Sequence, residues 1–297
     1  MPQHFVAPPL WEWYIVWYFF LGGLAGGAYL LGTLLRLIGD PRDEGVARLA
    51  FLIAFPAVAI CPILLTLDLG HPVRFWHMLI NSRTWGLNFK YWSPMSVGAW
   101  ALLVFSFFVT VSFIEALASE GWTRHRAARS IAGGLSGVFG RIFMVVGSLF
   151  GLFVAGYTGV LLSVSNQPVW SDTWALGGLF LASGLSVAAA TLAILARTRI
   201  DSATTERKLS RADRFFIVLE LLLLVAFFVT LGTLAGRLFA PRWIVLWVLV
   251  ALGTLAPLLM HRAPGEGGRV GSPVLAGLLV LLGGLALRIV MVFGAQM

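Results

Sequence analysis

The sequence predicts an all-α integral membrane protein of eight transmembrane helices arranged as two four-helix bundles, with both termini periplasmic. Three observations lead there: the composition, a series of eight long apolar runs, and a lopsided distribution of basic residues. Of the 297 residues, 59% are hydrophobic and 11% charged, and the mean hydropathy is +0.90. A water-soluble fold of this length needs far more polar surface, whereas helices facing lipid need none. The formal charge of +8 sits in short loops between apolar runs. That is the signature of membrane topology, so the expected partner is membrane lipid and no nucleic acid.

The runs are Trp11 to Leu37, Ala47 to Leu69, Pro94 to Leu117, Arg141 to Val164, Trp174 to Ala196, Asp213 to Leu234, Trp243 to Met260 and Pro273 to Phe293. Most approach the roughly 20 residues that cross the hydrocarbon at 1.5 Å per residue, and only the seventh is short. Ser93-Pro94, Ser272-Pro273 and Pro241 read as helix starts, because proline in the first turn loses no needed hydrogen bond. Residues 1–297 thus form a single polytopic domain, with the first four helices over about 11–165 and the last four over about 172–293. Met1 to Pro9 lacks the basic leader of a cleavable signal, and the run behind it is too long for one.

Six of the 21 basic residues, Arg74, Arg83, Lys90, Arg237, Arg242 and Arg288, fall on one side, and the other fifteen follow odd-numbered spans. The positive-inside rule then places both termini, and the loop after the second span, outside the cytoplasm. In a bacterium this means the inner membrane and its periplasmic face.

The first span carries Gly22-Gly23-Leu24-Ala25-Gly26-Gly27, small residues that admit either another helix or a flat ligand. Trp11, Trp13, Tyr14, Trp17 and Tyr18 crowd its outer end as an aromatic belt does, and the Tyr14 and Tyr18 hydroxyls could also bond a ligand. The second span holds Pro56 and Pro62, which each remove a backbone hydrogen bond and are expected to bend it. It delivers Asp68-Leu69-Gly70-His71-Pro72-Val73-Arg74-Phe75-Trp76-His77. Acid, histidines and arginine at this junction read as a decorated helix end or as a site. Asn81 to Trp92 is too polar for lipid and reads as a structured outer loop or short surface helix able to dock a partner. Tyr157 in the fourth span lies among glycines toward the outer leaflet, as structural glue or ligand contact. Glu115 and Glu220 are read in the inner halves of the third and sixth spans, as a proton path or as partners of Arg124 or Arg214. Arg288 is read in the outer half of the eighth span, as a partner of Asp68 or an anion-polarising group. Arg197 to Arg214 reads as a mixed-charge cytoplasmic connection.

Cys61 is the lone cysteine, so no disulfide framework, zinc site or iron–sulfur cluster is expected in this chain. His4, His71, His77, His125 and His261 all lie away from mid-span, which argues against transmembrane haem. A redox role would need a diffusible lipid cofactor and an outside electron partner. A quinone fits: its ring wants flat apolar walls, its carbonyls want hydrogen-bond donors, and its reduction takes up two protons.

Four motifs carry a family resemblance. They are Tyr18-Phe19-Phe20-Leu21-Gly22-Gly23 with Gly26-Gly27-Ala28, Leu67-Asp68-Leu69-Gly70-His71-Pro72-Val73-Arg74-Phe75, Ser93-Pro94-Met95-Ser96-Val97-Gly98-Ala99-Trp100 and Gly156-Tyr157-Thr158-Gly159-Val160-Leu161-Leu162, with weaker support from Arg288. On these the chain resembles the membrane subunit of polysulfide reductase and its relatives, the NrfD-like quinone-binding anchors of bacterial molybdopterin oxidoreductases. The likeness is strong over the first four spans. It implies an eight-helix anchor, a menaquinone or ubiquinone site near the periplasmic surface, a docked ferredoxin-like iron–sulfur subunit and, through it, a molybdopterin catalytic subunit. By that resemblance Tyr157, with Tyr18, Gly22, Arg74 and Arg288, is expected on the cofactor side, and Asp68 and His71 as a proton relay. His71 departs from the family pattern, which has arginine there. The competing readings are a proton- or ion-conducting transporter-type subunit, favoured by discontinuous helices, and a purely structural anchor.

Overall fold

The computed structural model describes residues 10–123, 125–199, 202–260 and 272–296. Arg124, Arg262, Arg269, His4 and His261, used in the charge and histidine readings, lie outside the described residues, as does Met1 to Pro9. The described residues form nine helices: α1 Trp13–Ile38, α2 Glu44–Leu67, α3 Pro94–Ser119, α4 Arg126–Gly134, α5 Val138–Ser163, α6 Leu176–Ala196, α7 Ala203–Leu231, α8 Ile244–Met260 and α9 Pro273–Gly294. All except α4 are, alone or with an adjoining 3-10 turn, long and apolar enough to cross a membrane, so the chain is an all-helical multi-pass membrane protein. The starts follow the sequence signals: Pro94 and Pro273 open α3 and α9, Ser93 Oγ accepts the Ser96 N–H at 3.5 Å, and a 3-10 turn over Pro241–Trp243 leads into α8.

Two elements differ from the sequence reading. Helix α7 begins at Ala203, ten residues before the predicted span, because hydropathy registers the membrane and is silent about a polar helical extension. That extension is held by Lys208, whose Nζ reaches Asp40 at 2.5 Å and Asp43 at 2.6 Å, and by Thr205 donating to Asp43 at 2.5 Å. Helix α4 is a short helix in what reads as a loop, and it buries Ala128. Helices α2 and α8 stay helical through Pro56, Pro62 and Pro257. The two prolines of the second span therefore do not interrupt it, the interruption that would have favoured a transporter-type reading there.

Helix α1 packs on α2, α5, α6 and α9; α2 on α3; α3 on α5. Helix α6 packs on α5, α7 and α9, and α8 joins α7 to α9. The glycines of α1 serve this packing on two faces. A Cβ at Gly26 would lie 2.2 Å from the Gly151 carbonyl oxygen on α5, and one at Gly27 would lie 2.7 Å from Ala188 Cβ on α6. A Cβ at Gly23 would lie 3.1 Å from Gly184 Cα on α6. Without side chains in the way the backbones approach closely, which is the main source of helix adhesion where lipid is as apolar as leucine.

One end of the assembly collects both termini. Gln296 bonds the Trp11 backbone on both sides, accepting at 2.6 Å and donating at 3.1 Å. The Trp11 ring stacks on Trp170, whose Nε1 donates to the Met291 carbonyl at 2.6 Å. The opposite end is held by ion pairs running from Arg36 through Glu44, Arg48 and Glu120 to Arg199.

Candidate functional site

Tyr157 stands on α5, six residues before its end. Its ring lies over Gly98 of α3, where a Cβ would come within 2.3 Å of the ring, and its hydroxyl donates to the Pro94 carbonyl at 2.6 Å. The ring also stacks on Phe153 at 5.6 Å. It borders a cavity of about 400 Å³ whose walls include Tyr91, Trp92, Val97, Phe153 and Val160. Four of these side chains are exposed in the isolated protein, namely Tyr91, Trp92, Phe153 and Val160. The cavity therefore opens sideways to lipid.

Tyr18 of α1 is 2% exposed and lies within electrostatic reach of Cys61 on α2 and Tyr157 on α5. Its ring packs beside Phe19 at 5.5 Å, and its hydroxyl is not one of the buried unpartnered polar atoms among the described residues, which are Thr33 Oγ1, Arg214 Nε and Trp243 Nε1. Gly22 is one turn further along. Its surroundings are roomier than those of Gly23, Gly26 and Gly27: a Cβ there would meet Val154, Thr158 and Tyr18 only at 3.7 to 3.9 Å. Tyr18, Gly22 and Tyr157 are thus brought together where α1 faces α5.

Asp68 caps α2, seven residues beyond Cys61, or about 10 Å of helix rise. It is half-buried, and its neighbour is Glu12 at the start of α1. Burial first, and then the Glu12 charge, hold its carboxyl above the usual carboxylate range, against a hydrogen bond from the Glu12 backbone. His71 and Arg74 are exposed, at the head of a 3-10 turn over Pro72–Met78. Arg74 forms no ion pair with Asp68 among the described residues, because the turn carries its side chain into solvent. The following segment is ordered by an Ile80–Leu87 bridge, Trp76 stacked on Trp85 at 5.9 Å, and Asn88 Nδ2 donating to the His77 carbonyl at 2.7 Å.

Arg288 lies apart from this group. It is fully buried, its Nε donating to the Phe19 carbonyl at 3.2 Å and its Nη1 to Ser183 Oγ and the Gly284 carbonyl at 3.1 and 2.7 Å. Its counter-charge is Glu220, which also bonds Ser183. Arg288 therefore joins α1, α6, α7 and α9, and the expected pairing with Asp68 gives way to Glu220. Glu115 is instead paired with Arg36 at 2.8 Å and accepts from Ser119 at 2.9 Å. The two acids read as one path stand apart, Glu115 in an ion pair with Arg36 and Glu220 bonded to Ser183 within electrostatic reach of Arg288. Neither is bound to Arg214.

Sequence reasoning passed over Glu12, Cys61 and Ser183. Glu12 carried a signal, as an acid at the start of the Trp11 to Leu37 run. Cys61 and Ser183 carried none, since small polar residues inside spans are common. Among the described residues no three His, Cys, Asp or Glu side chains are grouped to hold a metal.

Residues 2–297 match the family described as Polysulphide reductase, NrfD. Similar proteins include the C subunit of the selenate reductase of Mesobacillus selenatarsenatis, 26% identical over 96% of this chain and 74% of the relative. The C polypeptide of the polysulfide reductase of Wolinella succinogenes is 26% identical over 97% of this chain and 94% of its own length. Protein NrfD of Escherichia coli is 26% identical over 97% and 95%. With the match running over nearly the whole chain, and with eight helices fit to cross a membrane, the chain belongs to the NrfD polysulphide reductase family.

Proposed function

We propose that this chain is the quinone-reactive membrane-anchor subunit of a bacterial respiratory oxidoreductase complex, active as an oxidoreductase only within that complex. It lies in the inner membrane as two four-helix bundles, with both termini and the Asp68 to His77 loop periplasmic. The pairing of α1, α2, α3 and α5, and of α6 to α9, supports the bundles. The basic excess at the opposite end supports the orientation.

The observation that carries the reading is the convergence of Tyr18, the open side of Gly22 and Tyr157 where α1 faces α5, with Tyr157 bordering a cavity that opens to lipid. Phenol groups beside open apolar space suit a carbonyl-bearing ring. Menaquinone or ubiquinone, when bound, supplies a carrier of two electrons and two protons. Tyr18 donates to a ring oxygen. Tyr157 spends its proton on Pro94, so its oxygen is left to accept, which suits a quinol hydroxyl. Asp68, kept protonated to higher pH by burial and Glu12, holds a proton between this level and water, and exposed His71 exchanges it with the aqueous face. Exposed Arg74 contributes to docking. Arg288 acts at a distance, by holding α1 and its tyrosine against α6.

Electrons are exchanged with a docked ferredoxin-like iron–sulfur subunit and, through it, with a molybdopterin catalytic subunit. Two relatives are named as the C subunit of a selenate reductase and the C polypeptide of a polysulfide reductase, which supports membership of such a reductase complex. The test is quinone-dependent turnover of the purified complex in Tyr157→Phe and Asp68→Asn. A loss in either is expected; wild-type turnover in both would sink the placement.

A further inference from the structure

The outward stripe of α7 changes character along its length. Arg207 and Arg211 are exposed, and so are Phe215, Val218, Leu222, Val225 and Val229, each three or four residues from the last. Such spacing follows one face of a helix. Arg214 flanks the change, half-buried, with its Nε buried and without a partner. The neighbouring cations Arg36, Arg48, Arg199 and Lys208 are all in ion pairs, while Arg207, Arg211 and Arg214 are in none among the described residues. The nearby Asp213 faces the other way, accepting from Ser186 of α6 at 2.6 Å.

From these observations we infer that Arg207, Arg211 and Arg214 form a binding site for the phosphate headgroup of an anionic phospholipid of the cytoplasmic leaflet. The depth agrees. From Phe215 to the end of α7 is about 24 Å of helix rise, and one more turn reaches the roughly 30 Å of hydrocarbon, just short of Arg237. Arg211 and Arg214 therefore stand at the glycerophosphate level and Arg207, about 12 Å of rise beyond Phe215, at its outer edge with its Nε on the Ala203 carbonyl, while acyl chains continue along Phe215, Val218 and Leu222. Arginine's planar fork suits phosphate oxygens, and among the described residues these three are ion-paired with no carboxylate. A zwitterionic lipid would bring its own cation and a weaker net attraction.

The test uses the purified full-length protein, delipidated and placed in phosphatidylcholine nanodiscs with or without phosphatidylglycerol or cardiolipin. Bound lipid is counted by native mass spectrometry, and the apparent unfolding temperature is recorded. Wild type should retain anionic lipid selectively and unfold at higher temperature with it. Arg211→Gln with Arg214→Gln should bind about thirtyfold more weakly. The Lys pair Arg211→Lys with Arg214→Lys, which keeps the charge and guards against a folding defect, should retain most binding, and Arg83→Gln at the other end should match wild type. Equal retention of phosphatidylcholine, or unchanged binding in the Gln pair, would overturn the site. Full replacement of the lipid effect by free pyrophosphate would overturn the lipid assignment, since it would mark a soluble-anion site.

Discussion

Tyr18→Phe separates a ligand contact from structural glue, because the two roles predict different outcomes. Tyr18 is 2% exposed, and its ring contacts would be kept by phenylalanine. A hydroxyl that serves a ligand rather than the fold should leave the apparent unfolding temperature unchanged when it is deleted. Tyr157→Phe removes the 2.6 Å bond to Pro94 and should cost about 1 kcal/mol. In turnover the order reverses. If Tyr18 donates to the ring oxygen where charge develops, its loss should slow quinone-linked turnover by about ten- to a hundredfold. Tyr157→Phe, whose hydroxyl already serves Pro94, should act mainly by loosening α3 from α5. The assay is steady-state turnover of the assembled complex against quinone or quinol concentration, with thermal unfolding measured on the same preparation. Tyr18→Phe with wild-type turnover and lowered stability would refute the reasoning, because it would make the tyrosine a packing residue.

Gly26→Ala should destabilise by about 1 to 3 kcal/mol or more, since its Cβ would stand 2.2 Å from the Gly151 oxygen. Gly22→Ala meets nothing closer than 3.7 Å and should fold normally while weakening quinone affinity; unfolding curves and the quinone KM read the two effects. Arg288→Met would leave Glu220 buried without its cation and should cost about 3 to 5 kcal/mol, seen as poor recovery or a large drop in unfolding temperature. Asp68 has its carboxyl raised in the fold, so it binds its proton more tightly folded than unfolded. The stability it contributes is present below its unfolded pKa and is lost as pH rises through its folded pKa. Asp68→Asn should therefore unfold at a slightly higher temperature at neutral pH, with the gain fading in acid. Glu12→Gln removes the like charge and should move the Asp68-linked limb of the turnover profile to lower pH; an unmoved limb would exclude Asp68 as its source.

Much of the site was legible as a set of candidates and little of it as a geometry. Tyr18, Gly22 and Tyr157 were all named from the sequence, and the structure brings them to one place. Arg74 and Arg288 were named as well. One proves exposed to solvent, and the other is committed to Glu220 and the carbonyls of α1 and α9. Glu115 and Glu220 looked alike in the sequence, as acids inside spans, yet one is ion-paired with Arg36 and the other bonds Ser183 and faces the Arg288 charge.

The sequence by itself determined the membrane class, the number of spans and, within a few residues, most of their limits, because moving apolar side chains from water into lipid depends on composition along the chain. Prolines and serines marked several starts for equally local reasons. Which side of each helix meets which neighbour was decided only in the tertiary structure. In a soluble helix the polar face betrays that direction, but here the lipid-facing and buried faces are both apolar. So the two packing faces of the α1 glycines, the Arg288 to Glu220 pair and the nearness of Glu12 to Asp68 had to wait for the helices to be placed.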